Sequence, residues 1–76
     1  MSSNLYCYKC ILFDSKEQVV HTVLIVAPAD ADFVWIRGLA FDGFANSMRE
    51  ENQENLITTV AEIRVVSGDP VELEML

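Results

Sequence analysis

A single stretch, Asp30 to Glu51, has a helical period, and runs of strand-forming residues stand before and after it. One amphipathic helix has no second helix to bury its apolar stripe against, so this order calls for a helix laid on a sheet. Steps of about 100° per residue put Phe33, Val34, Ile36, Ala40, Phe41, Phe44 and Met48 on one broad face. Asp42, Asn46 and Arg49 fall opposite, with Gly38, Gly43, Ala45 and Ser47 along the edges. Asp30 or Asp32 supplies the N-cap, since a carboxylate accepts from orphan N–H groups there. The run Glu50 to Asn55 has no apolar residue and predicts a frayed end. Gly38 and Gly43 cost about 1 kcal/mol each in helix propensity, which predicts a close approach to the sheet or to a partner.

Three residues depart from the pattern. Arg37 lies near the middle of the apolar face, its head reaching a sheet edge or pairing with a carboxylate such as Glu62. Trp35 and Leu39, one turn apart, lie on the polar side. Either the C-terminal tail covers them or they anchor a partner, for which a Trp–Leu pair has the right composition.

The flanking runs read as strands. Leu5 to Phe13 is rich in aromatic and branched residues, Asp14-Ser15-Lys16-Glu17 has hairpin length, and Gln18 to Ala27 follows. Parity places Cys7, Ile11 and Phe13 on one face of the first strand, with Tyr6, Tyr8, Cys10 and Leu12 on the other. In the second, Val19, Val23 and Ile25 oppose Val20, Leu24 and Val26. Both faces are apolar, whereas a sheet covered on one side alternates with polar residues. A third strand is expected over Leu56 to Val66, a turn at Ser67-Gly68-Asp69-Pro70, and a short edge strand over Val71 to Leu76. The expected architecture is one α+β domain over residues 1–76, ββαββ, with one helix on a four-stranded, mainly antiparallel sheet.

Size sharpens the consequence of two apolar faces. A chain of 8.6 kDa buries only about 60% of its unfolded surface, yet 51% of these residues are hydrophobic. A second copy is the economical cover, and Tyr6, Tyr8, Cys10, Val20 and Leu24 are the expected homodimer interface.

Charge excludes other partners. The net charge is −7 with five basic residues, too few for a phosphate-tracking stripe, so neither nucleic acid nor an anionic membrane surface is an expected direct partner. From Glu50 onward seven acids face Arg64 alone. Glu50, Glu51, Glu54, Glu72 and Glu74, together with Asp42, Arg37, Trp35 and Leu39, are the expected protein-binding residues. The first residues lack a signal-peptide pattern, and two cysteines in such a chain suit a reducing cytoplasm.

Motifs with chemistry are weak. Cys7-Tyr8-Lys9-Cys10 is a CxxC, but a redox pair opens a helix, and in a strand the two sulfurs point to opposite faces. His21 is the single histidine, too few for a zinc site with one CxxC, and it is expected to hydrogen-bond within the sheet. Asp30-x-Asp32 lacks the remaining ligands of a calcium loop. No catalytic residue, metal ligand or cofactor is expected. The function expected is a non-enzymatic, acidic interaction module, most concretely an inhibitor occupying a basic surface of a nucleic-acid-processing complex. In size and charge the chain is similar to small acidic phage-encoded inhibitors. The alternatives are an assembly subunit of a homo-oligomer and a Cys/His metal or redox domain.

Overall fold

The computed structural model describes residues 5–71. Its elements are β1 (Leu5–Phe13), β2 (Val19–Pro28), α1 (Phe33–Glu50), a 3₁₀ helix (Glu54–Thr59) and β3 (Glu62–Pro70). The strands form an antiparallel sheet in the order β2-β1-β3, and α1 packs on one face, so the α+β architecture of one helix on an antiparallel sheet holds. The edge strand expected over Val71 to Leu76 lies, beyond Val71, outside the described residues.

Asp14 builds the hairpin between β1 and β2. Its Oδ1 accepts from the N–H groups of Lys16 (2.8 Å) and Gln18 (2.9 Å), and Glu17 takes the left-handed conformation at φ 60°. An extra residue at Val20 then bulges β2, because Leu12 pairs with His21 and Phe13 with Val19. This bulge turns Val20 toward the core beside Val23, although the two differ in parity.

Asp32 is the N-cap, its Oδ1 accepting from Val34 N–H at 2.7 Å. The far end of α1 does not fray. Asn52 adopts φ 57°, Gln53 N–H donates to Met48 C=O at 2.7 Å and Asn52 N–H to Arg49 C=O at 3.3 Å. These are the paired bonds of a Schellman motif, with Asn in the place glycine usually takes.

The chain after it differs from the expectation. Leu56 to Thr59 are 3₁₀ helix, and the third strand begins only at Glu62. Leu56 and Ile57 pack against Leu12, Phe44 and Met48, while the Thr58 and Thr59 hydroxyls donate back to the Asn55 and Leu56 carbonyls at 3.2 and 2.6 Å. Burial and local hydroxyl bonds outweigh the β-branched composition here. Ser67-Gly68-Asp69-Pro70 is not a turn but the end of β3, paired with Tyr6 to Lys9. Gly68 stands where the Tyr8 ring crosses the ladder, and Pro70 closes β3, the outer strand among the described residues, where its missing N–H is harmless.

The core is continuous under the helix. Tyr8, Cys10, Ala27, Ile36 and Ala40 form one cluster; Leu12, Phe44 and Met48 form the other, joined through Val23 and Ile63. Tyr8 fixes the chain between β2 and α1, its hydroxyl donating to the carbonyls of Pro28 (3.0 Å) and Ala29 (3.1 Å). Phe33 and Val34 were expected on the buried face but are exposed; Phe33 meets Tyr8 edge-on at 5.9 Å. Neither Gly38 nor Gly43 has a neighbour within 4 Å of a built Cβ, so no close contact inside this chain requires them.

Candidate docking surface

The sheet face away from α1 is set by strand parity and the ladder register. Across the three strands it presents Val26, Cys7 and Asp69; then Leu24 and Lys9; then Thr22, Ile11 and Arg64; then Val19, Phe13 and Glu62. Leu24, Val19 and Val26 are 64%, 60% and 57% exposed. Among the described residues nothing covers this face. Lone exposed apolar side chains are ordinary, but a contiguous apolar patch on a pleated surface marks an interaction site.

Polar groups on it are arranged unevenly. Arg64 places its guanidinium 4.6 Å from the centre of the Phe13 ring and donates to Glu62 Oε2 at 2.8 Å, with Glu17 at 3.8 Å. The Arg64 hydrogen bond lowers the Glu62 carboxyl pKa and raises that of Arg64 itself. Both side chains are exposed to water, so screening keeps the contribution small. Lys9, in the middle of the central strand, is exposed, and no ion pair reaches it among the described residues.

The expected interface residues are only partly brought together. Tyr8 and Cys10 are buried beneath α1, Tyr6 packs against their cluster, and Val20 packs against Leu12 and Phe44. All four therefore belong to the intramolecular core and not to an uncovered face; of the five, Leu24 alone is on it. Parity had separated the two faces without saying which one the helix covers. A usable signal was Lys9, which shares the parity of Cys7, Ile11 and Phe13 and so marks the outer side.

Of the expected partner-binding residues, Trp35 is 52% exposed on the helix side away from the sheet, with Leu39 half-buried beside it. Asp42, Glu50, Glu51 and Glu54 are exposed. Glu72 and Glu74, and the tail suggested as a cover for Trp35, lie outside the described residues. Arg37 does not reach Glu62, whose carboxylate is held by Arg64. It lines a shallow groove of about 630 Å³ between α1 and the start of β3, with Val34, Phe41, Val60 and Ile63.

No family model, curated protein or solved structure matches this chain.

The cysteines fall on opposite faces of β1, Cys7 half-buried on the uncovered side and Cys10 fully buried under the helix. Burial, with Cys7 nearby as the lesser cause, pushes the Cys10 thiol up and keeps it protonated. Native iodoacetamide treatment is therefore expected to label Cys7 and spare Cys10 until denaturant is added; equal labelling in the mass spectrum would contradict this placement. The His21 ring packs at 5.3 Å from Phe44 and makes no side-chain hydrogen bond among the described residues, unlike the expected sheet contact. Among the described residues no three His, Cys, Asp or Glu side chains gather to hold a metal, and no helix is long and apolar enough to cross a membrane.

Proposed function

We propose that this chain is a small, non-enzymatic protein-interaction module whose contact surface is the outer face of its sheet. The exposure of Leu24 and Val26, beside Ile11 and Phe13 on the same face, carries the reading. The finer form is an acidic inhibitor. Glu50, Glu51 and Glu54 would meet a basic surface of a nucleic-acid-processing protein, with carboxylates where phosphates dock. Its support is the net charge of −7 and the position of Glu50 and Glu51 at the negative end of the helix dipole. Each costs about 0.3–1 kcal/mol there, so fold stability does not require them. Two free thiols suit action in a reducing cytoplasm.

The second reading is an assembly subunit, favoured by a further apolar patch at Trp35 on the opposite side of the molecule. Capture from a cell lysate on immobilised protein, at low and high salt, separates the two. A partner retained by the parent protein and lost with Leu24→Asp supports the module, and loss at high salt supports charge mimicry. Capture indifferent to Leu24→Asp would refute the sheet face as the contact surface.

A further inference from the structure

We infer that the sheet face receives the outer surface of α1 from a second copy, head to tail. The inference rests on the reading of that face as a contact surface and names its occupant.

The two surfaces match in size. Among the described residues the uncovered face is three strands wide, about 14 Å, and β1 is about 30 Å long at strand rise and spacing. An 18-residue helix is about 27 Å long and 10–12 Å across. One helix therefore fills the face.

They also match in pattern. The solvent side of α1 presents Trp35, Leu39 and Asp42 at positions i, i+4 and i+7, one stripe along the helix that runs on to the polar Asn46 and Arg49. The face it would cover presents Leu24, Val26 and Ile11 around Lys9. Lys9 is the central residue of β1, and Asp42 lies at the middle of α1. Among the described residues the ion pairs are those of Arg64 with Glu62 and Glu17, so neither Lys9 nor Asp42 has an opposite charge in reach. Laying the helix across the face brings the two midpoints together, with Trp35 over the apolar residues.

The two-fold alternative, sheet on sheet, fails on charge. Lys9 sits at the centre of the face, so a two-fold axis there brings both ammonium groups, desolvated and unpaired, into one dry interface. It also leaves Trp35 bare. A head-to-tail contact covers both apolar patches and repeats, giving a concentration-dependent series of copies and not a closed dimer. The footprint, roughly 400 Å² on each side, is about half that of a standard stable interface, so association belongs to high protein concentration.

Complementation tests it. Leu24→Asp blocks the sheet face and Trp35→Asp blocks the helix face; both positions are more than half exposed, and far-UV circular dichroism verifies that the helix is kept. Sedimentation equilibrium from about 10 µM to about 1 mM, the range in which contacts this small act, is expected to show the parent protein growing past dimer. Each variant alone should stay monomeric, and their equimolar mixture should form a 1:1 complex and nothing larger. Should Trp35→Asp unfold, Asp42→Lys replaces it with the same expectation. A parent protein monomeric at the highest concentration overturns the proposal. So does a mixture that stays monomeric; if Leu24→Asp alone then abolishes association, the sheet face survives as the contact surface and only the head-to-tail geometry falls.

Discussion

Phe44→Ala is expected to remove a large share of the fold's stability, about 3–5 kcal/mol. Phe44 is the largest fully buried side chain among the described residues and joins Leu12 and Met48 to the 3₁₀ helix through Leu56 and Ile57. Truncating a buried Phe costs about 3–5 kcal/mol, the lost transfer energy plus a cavity its neighbours fill only partly. A domain of this length has about 4–11 kcal/mol of total stability at the usual value per residue. The loss therefore takes most of the margin at the low end. Phe33→Ala is the control, since that ring is half exposed and is expected to cost about 1 kcal/mol. Urea unfolding followed by circular dichroism checks both. A Phe44→Ala variant losing less than about 1.5 kcal/mol would show that the cluster under the second half of α1 is not the core described.

Gly68→Ala is expected to cost about 1–3 kcal/mol, the range for forcing extra atoms into a packed site. A Cβ there would lie 2.9 Å from Tyr8 Cε1 and 3.0 Å from Cδ1. The ring has little freedom to yield. It is buried, packed against Phe33, and tethered by its hydroxyl to the carbonyls of Pro28 and Ala29. Moving it would break bonds worth about 0.5–1.5 kcal/mol each and disturb the passage from β2 into α1. The glycine is needed for this close approach and not for its backbone angles, because no glycine among the described residues has positive φ. Two comparisons isolate the cause. Gly43→Ala, with no neighbour within 4 Å, should instead stabilise by about 1 kcal/mol through helix propensity. In a Tyr8→Leu background the penalty of Gly68→Ala should shrink, and an undiminished penalty there would refute the clash. Denaturation midpoints of the five proteins (parent, the three single variants and the Tyr8→Leu/Gly68→Ala double variant) decide it.

Local rules read well where a residue's own chemistry acts on its own backbone. Asp32 as N-cap, Asp14 and its neighbours as the hairpin, and the alternation within β1 and β2 follow from side chains bonding or packing within a few positions. Signals failed where a distant partner competed for the same residues. Ser67-Gly68-Asp69-Pro70 has turn composition, yet the Tyr8 ring needed a glycine opposite it, and that need placed the segment inside β3. Leu56 to Thr59 has strand-like composition, yet Leu56 and Ile57 pack against Phe44 and Met48 from a 3₁₀ helix. Asn52, in a run read as frayed, closes the helix because its backbone tolerates the left-handed conformation.

The order of residues was enough to show one helix, antiparallel strands, a strongly acidic surface and more apolar side chain than a single face of the sheet could use. Those properties depend on residue type and on the periods of helix and strand, which act locally. Which side of the sheet α1 would take was marked only by the single charge of Lys9 on the parity of Cys7, Ile11 and Phe13. Both parities of β1 are apolar, and the choice turned on volume: Tyr8, Cys10 and Leu12 fill the space beneath Ile36, Ala40 and Phe44. Packing three-dimensional shapes against one another settled that question, and it left Leu24, Val26 and Lys9, rather than Tyr8 and Cys10, facing outward.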